Sequence, residues 1–239
     1  MSLHASVRAA LRDNVVKMVQ NAGNHRDRWL ALAYVSSALL TCVLVETAPT
    51  SLTYRLAKVS PLLLLSAARF SEARDRAAQW VGLGLVASFV GDAVIDSSFV
   101  AGLASFLVGH VFYIVAMAWP RRTMGTALWS IPALFLAGTT HSILVASERA
   151  PEALRIPVTL YILVISTMFG RATARAFSEV RDRASRIFLA GAFFFVISDS
   201  LIGIRRWVVP IPHGAVLVLA TYFLGQWGIY WGSRAPARP

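Results

Sequence analysis

The sequence predicts an all-α fold, a polytopic membrane helix bundle of about eight transmembrane helices with N- and C-termini cytoplasmic. The first observation is composition, because 56% of the residues are hydrophobic and only 15% are charged, whereas about a quarter are charged in soluble domains. The second is the mean hydropathy of +0.60. The third is that several apolar runs approach the ~20 residues that a helix needs to cross a bilayer. These runs do not alternate apolar and polar residues, so a membrane β-barrel is not predicted.

The apolar runs divide the chain into eight predicted spans. They cover residues 29–45, 53–68, 78–95, 99–119, 125–145, 155–170, 187–204 and 213–231. The fifth contains Pro132 and the sixth contains Pro157, but proline is tolerated inside membrane helices. The predicted domain organisation is therefore a leader over 1–28, a transmembrane domain over 29–232 and a short cytoplasmic tail over 233–239.

The leader is basic and has apolar residues at helical spacing, among them Val7, Leu11 and Val15. This pattern predicts an amphipathic helix on the cytoplasmic membrane surface, and a frayed tail is the alternative. The leader is not typical of a signal peptide, because its apolar region begins only at Trp29.

The basic residues predict the orientation of the spans. Most of the 23 lysines and arginines fall at the N-terminus, in every second loop and in the C-terminal tail. The positive-inside rule then places both ends in the cytoplasm. The net charge of +11 fits loops that face anionic lipid, so the expected partner is the bilayer and not nucleic acid. We expect an integral protein of a bacterial plasma membrane. The single cysteine, Cys42, excludes an intramolecular disulfide.

A few polar residues interrupt the apolar spans, and they are the candidates for function. A charge at the centre of a bilayer costs ~3 kcal/mol or more, so such residues usually face the interior of a bundle. The residues are Lys58, Asp92, His110, Tyr113, Tyr161, Asp199, Tyr222 and Gln226.

The predicted topology places these groups at similar depths in the outer half of the bundle, where one cavity can collect them. His110 and Tyr113 share a helix face, and so do Tyr222 and Gln226. The rim of this cavity is predicted to consist of Glu46, Asp96, His141, Arg205, Arg206 and His213.

Each candidate has a simpler alternative role. Asp92 or Asp199 can lie at a helix end and reach the interface. Lys58 can extend to the outer headgroups, and His110 can hydrogen-bond a neighbouring helix. The tyrosines can be ordinary packing residues.

Two carboxyl groups in one low-dielectric cavity do not both ionise readily, so Asp92 and Asp199 are expected to titrate as a unit. One then keeps its proton while the other is charged. Such a pair supplies a general acid and a general base at neutral pH, and Lys58 can hold the second carboxylate in its ionised form.

Five blocks carry a resemblance to a known family. They read LAKVSPLLLL, FVGDAVID, FLVGHVFYIVAMAW, GAFFFVISDSLIGI and VLATYFLGQW, in this order between residues 56 and 227. Together they resemble the YhhN family of membrane proteins, the lysoplasmalogenases. Asp96 departs from the family pattern, which continues with an apolar residue there, and the basic leader lies outside the resemblance.

The resemblance implies hydrolysis of the vinyl ether bond of a lysoplasmalogen, a lysophospholipid, to a fatty aldehyde and a glycerophospho-base. Asp92 and Asp199 are then the catalytic acid–base pair, in the manner of paired carboxylates in glycosidases. The remaining polar residues are then expected to bind the substrate. Among them, Lys58 would orient a carboxylate or contact the phosphate. The residues expected to position glycerol and water are His110, Tyr113, Tyr222 and Gln226. The reaction requires no metal and no redox cofactor.

Two other functions fit the same residues. A metal-dependent membrane lipid hydrolase would use His110, His141 and His213 with an aspartate as zinc ligands, although their spacing is not that of a zinc motif. A membrane transporter would use the acid pair as a proton relay.

Overall fold

The computed structural model describes residues 3–72, 75–117, 131–177 and 183–234, with side chains from residue 25 onward. These ranges contain eight α-helices and no strand. They are α1 (Leu3–Thr47), α2 (Leu52–Glu72), α3 (Arg76–Val94), α4 (Phe99–Met117), α5 (Ile131–His141), α6 (Glu152–Ala176), α7 (Arg183–Trp207) and α8 (Gly214–Gly232). A π-helical segment, Ser142–Ala146, continues α5.

The prediction of an all-α bundle is confirmed, and each predicted span overlaps one helix. Pro157 lies within α6 near its N-terminal end, which explains why the sixth span is continuous. The end of the fourth predicted span and the start of the fifth lie within residues 118–130, which fall outside the described residues. The backbone of α1 is helical from Leu3, so the leader continues the first span, and its separate role at the membrane surface stays a prediction.

Among the described helices, five are long and apolar enough to cross a membrane: α1 from His25 onward, α3, α4, α6 and α7. The helix formed by α5 and the π-helical segment is apolar but shorter. The other two helices, α2 and α8, carry buried polar residues, among them Lys58, Arg69 and Gln226. These three side chains face the interior of the bundle and not lipid.

Seven of the helices form a closed ring, in which each packs on its neighbours in the order α1, α2, α3, α4, α6, α7, α8 and back to α1. Outside this ring, α5 packs against α6. The most extensive helix pairs are α7 with α8 and α3 with α4. The ring places α3, α7 and α8 around one interior space.

Glycines allow the helices of the α7–α8 pair to approach closely, as small residues do in membrane helix interfaces. A Cβ atom on Gly191 would lie 2.5 Å from the backbone nitrogen of Ile229 and 2.7 Å from the carbonyl oxygen of Gly225. Only glycine therefore fits at this crossing without moving α8.

One end of the ring is fastened by an ionic cluster that joins α1, α2 and the end of α8. Arg234 contacts Asp27 at 2.9 Å and Glu72 at 2.8 Å. Arg69, which is buried, donates a hydrogen bond to the carbonyl of Ser233 at 2.8 Å. The start of the first span and the end of the last span therefore lie at the same end of the bundle, as an even number of spans requires. That this end is cytoplasmic stays a prediction.

Substitution of Gly191 by alanine should destabilise the bundle, because the added methyl group meets the backbone of α8. We expect a loss of about 1–3 kcal/mol, typical of overpacking, seen as a lower midpoint of thermal unfolding in detergent. Gly138→Ala is the matched control, since a Cβ on Gly138 has nothing within 4 Å. Equal midpoints for the two variants would contradict the close crossing of α7 and α8.

Candidate active site

The ring encloses a cavity of about 580 Å³ at the end opposite the ionic cluster. Residues of α1, α2, α3, α4, α7 and α8 line it, and many of their side chains are polar. Its polar and charged lining residues are Tyr54, Lys58, Asp92, Asp96, Ser198, Asp199, Arg205, Arg206 and Tyr222. The cavity thus contains both carboxyl groups that the sequence placed in apolar spans.

Asp92 reaches the cavity from the last turns of α3. Its residue is only 5% exposed, and its carboxylate oxygen Oδ2 accepts a hydrogen bond of 2.7 Å from the hydroxyl of Tyr222 on α8. The preceding residue, Gly91, leaves room for the ring of Phe106, which a Cβ would meet at 2.9 Å. Asp92 is therefore held between α3 and α8 in a nearly closed environment.

Asp199 enters the same cavity from α7 and is partly exposed. Its Oδ2 accepts a hydrogen bond of 2.5 Å from the hydroxyl of Tyr161 on α6. The adjacent Ser198 donates to the carbonyl of Val218 at 3.0 Å, which fixes α7 against α8 beside the carboxylate. Each of the two carboxylates thus has its own tyrosine. Across the described residues they make no hydrogen bond to each other.

Lys58 pairs with Asp96, at 2.8 Å between Nζ and Oδ2. The lysine is 5% exposed, whereas 54% of the Asp96 side chain is exposed. Asp96 is one of the predicted rim residues, and its carboxylate compensates the charge of the buried lysine. The predicted role of Lys58 in orienting Asp92 or Asp199, or in contacting the phosphate, stays a prediction.

Three of the predicted rim residues, Asp96, Arg205 and Arg206, line the cavity. The guanidinium of Arg206 lies 4.4 Å from the centre of the Phe99 ring. Both arginines are exposed, and neither forms an ion pair with another described residue. They give the mouth of the cavity a positive charge.

Two of the remaining three predicted rim residues contact each other, Glu46 near the end of α1 and His213 just before α8. Glu46 lies 3.1 Å from Nδ1 of His213, and neither belongs to the cavity lining. His141, the last residue of α5, is also outside that lining.

His110, Tyr113 and Gln226 do not line the cavity but lie behind it, fully buried. The hydroxyl of Tyr113 donates to Oε1 of Gln226 at 2.8 Å. The ring of His110 meets the rings of Tyr161 and Phe195 edge to face, with centroids 5.4 and 4.6 Å away. These residues can position the tyrosines that hold the carboxylates.

The three histidines considered as zinc ligands form no common site. The ring of His110 packs against aromatic rings, whereas His213 contacts Glu46. Within the part of the chain that the structure describes, no three His, Cys, Asp or Glu residues are grouped to hold a metal ion.

The fold and the site define a polytopic helical membrane protein with two tyrosine-bound carboxylates in an internal cavity. The chain belongs to the YhhN family, whose model matches residues 53–233. The match contains Lys58, Asp92, Asp199 and Tyr222, and the chain is an integral membrane protein.

Several relatives of this chain carry the name lysoplasmalogenase. The human lysoplasmalogenase TMEM86B is 28% identical over 204 residues, which are 83% of each chain. A lysoplasmalogenase of Mycobacterium tuberculosis is 29% identical over 227 residues, covering 83% of this chain and 82% of its own. The human lysoplasmalogenase TMEM86A is 31% identical over 150 residues, 60% of each chain. No solved structure matches this chain significantly.

A double-mutant cycle can measure the interaction energy of the Lys58–Asp96 ion pair. Asp96→Asn leaves a buried ammonium without its partner, so it should lower the thermal midpoint, and Lys58→Met should restore much of that loss. We expect a coupling of about 1 kcal/mol in unfolding free energy, because the exposed carboxylate is partly screened. Additive effects of the two substitutions would show that the ion pair does not form.

Proposed function

We propose that this protein is an ether hydrolase that cleaves the vinyl ether bond of a lysoplasmalogen by acid–base catalysis with Asp92 and Asp199. The products are a fatty aldehyde and a glycerophospho-base. The observation that carries the proposal is that two carboxylates, each bound by a tyrosine, line one cavity within the membrane bundle. The lysoplasmalogenase relatives, similar over most of the chain, support the reaction class.

The chemistry needs one protonated and one ionised carboxyl group. The acid donates its proton to the β-carbon of the vinyl ether, and the ether oxygen shares its lone pair to give an oxocarbenium ion. The ionised carboxylate stabilises this cation and accepts a proton from the water that adds to the α-carbon. The hemiacetal then releases the aldehyde, and the glycerol oxygen leaves with a proton. The sum is vinyl ether plus water giving aldehyde plus alcohol.

The cavity supplies the other requirements of this substrate. A volume of about 580 Å³ is in the range of small-molecule sites and leaves space for a glycerophospho group and water. Arg205 and Arg206 at the mouth can bind the phosphate through charge-assisted hydrogen bonds. The proposed location is a bacterial plasma membrane, where the substrate enters from the bilayer.

Loss of either carboxyl group should remove the reaction. Asp92→Asn and Asp199→Asn should each lower aldehyde release from lysoplasmalogen by about 10²-fold or more, the usual contribution of a general acid or base. The assay uses purified protein in detergent micelles, which have no sealed compartment and so separate catalysis from transport. Glu148→Gln is the control, because that acid is exposed and outside the cavity.

A lysophospholipid with an ester in place of the vinyl ether should not be cleaved. Full activity in both aspartate variants would overturn the acid–base assignment, and absence of aldehyde with the wild-type protein would overturn the function.

The tyrosine hydroxyls should affect turnover more than binding. Tyr161→Phe and Tyr222→Phe each remove the donor that orients a catalytic carboxylate, so we expect kcat to fall by about tenfold, the equivalent of one hydrogen bond of roughly 1.4 kcal/mol, with KM little changed. Tyr230→Phe is the matched control, because its hydroxyl contacts Glu72 at the opposite end of the bundle. A change in KM alone would show that the tyrosines bind substrate instead.

A further inference from the structure

A second pocket lies beside the polar cavity, between α4, α5, the π-helical segment, α6 and α7. It is narrow, with a volume of about 70 Å³, against about 580 Å³ for the polar cavity. Its lining is largely apolar and includes Leu103, Leu136, Leu144, Ile162, Ile165 and Val196. A narrow apolar slot of this kind fits a single hydrocarbon chain better than a glycerophospho group.

The apolar pocket and the polar cavity are adjacent, because Ile95, Phe99, Phe106, Asp199 and Ile202 line both. Among the described lining residues of the apolar pocket, Asp199 is the one that carries a carboxyl group. Asp92 lines the polar cavity but not the apolar pocket. The two carboxylates therefore differ in position, with Asp199 at the junction and Asp92 on the polar side.

We propose that the apolar pocket binds the hydrocarbon chain of the lysolipid, and that this orientation makes Asp199 the proton donor and Asp92 the base. The proposal rests on the proposed function. The substrate has one chain and one anionic head, and the two adjoining spaces match those parts: apolar walls for the chain, and a wide cavity with Arg205 and Arg206 for the phosphate. The vinyl ether then lies at the junction.

The order of atoms in the substrate assigns the two roles. The β-carbon, which takes the proton, is one bond further along the chain than the α-carbon, which carries the ether oxygen and takes water. A chain seated in the apolar pocket places the β-carbon against Asp199 and the α-carbon towards the polar side. Asp92 then faces the water that adds to the α-carbon.

The assigned roles close the catalytic cycle. The O–H bond of Asp199 breaks as the β-carbon gains its hydrogen, and Asp92 takes a proton from the attacking water. In the second step the Asp199 carboxylate removes the hemiacetal hydroxyl proton, and protonated Asp92 gives its proton to the departing glycerol oxygen. Both aspartates return to their starting states.

A bulky side chain in the apolar pocket tests whether this pocket binds the hydrocarbon chain of the substrate. Thr140 lines the pocket from α5 and is partly exposed, so Thr140→Trp introduces bulk with little disturbance of the core. With long- and short-chain 1-alkenyl glycerophosphoethanolamines in micelles, kcat/KM for the long chain should fall by about tenfold or more, since each methylene in an apolar pocket contributes ~10-fold or more. The value for the short chain should change by less than about twofold.

Leu134→Trp is the matched control on the same helix, because Leu134 is 70% exposed and outside the pocket. Leu136→Trp is a second pocket variant in case Thr140→Trp does not fold. If kcat/KM fell equally for both chain lengths in the pocket variants, with a fully active control, the apolar pocket would not be the binding site of the hydrocarbon chain. In that case the wild-type protein would still release aldehyde, and the proposed function would hold. If the wild-type protein released no aldehyde from either substrate, the proposed function itself would be overturned.

A stronger nucleophile than water tests the two roles. Hydroxylamine needs no base to attack an oxocarbenium ion, so it should restore glycerophosphoethanolamine release in Asp92→Ala by about tenfold or more, with an oxime as the second product. It should not rescue Asp199→Ala, which cannot form the cation. Rescue of Asp199→Ala, or of neither variant, would overturn the assignment.

Discussion

The rest of the site depends on one constraint, which is that a carboxyl group in an apolar bundle must have a polar partner. Asp92 on α3 takes the hydroxyl of Tyr222 on α8, and Asp199 on α7 takes that of Tyr161 on α6. The first bond crosses the interior space from α3 to α8, and the second joins the neighbouring helices α6 and α7. Unsatisfied polar groups are costly in lipid. The two bonds therefore fix how α3, α6, α7 and α8 are rotated, and both carboxylates face one cavity. The glycine crossing lets α7, which carries Asp199, pack closely on α8, which carries Tyr222.

The fold follows from the sequence to a large extent, because apolar length and charge distribution determine membrane helices. The predicted spans 78–95 and 187–204 correspond to α3 and α7. The position of α5 outside the ring, with α4 packed directly on α6, does not follow from these patterns. Hydropathy gives the number of helices but not their neighbours, since lipid and protein interiors are equally apolar.

The sequence predicts the charged residues of the site, but it does not predict which side chains they contact. Asp92, Asp199 and Lys58 stand out because a charge in an apolar span has few roles. Tyr161 and Asp96 are among the predicted candidate and rim residues, but no sequence pattern pairs Tyr161 with Asp199 or Asp96 with Lys58. His110, Tyr113 and Gln226 lie behind the cavity because their direction depends on the rotation of α4 and α8, which packing sets. The proposed division of labour between the aspartates likewise depends on a pocket formed by α4, α5 with its π-helical segment, α6 and α7.

The most direct test of the acid–base mechanism is to run the reaction in heavy water and to locate the deuterium in the aldehyde. The aldehyde should be reduced at once to the alcohol, to prevent exchange. A fixed carboxylic acid delivers its proton to one face of the β-carbon, so the account predicts a single deuterium there, in one stereochemical configuration. An unlabelled β-carbon, or an equal mixture of the two configurations, would contradict protonation by an aspartate held in the bundle.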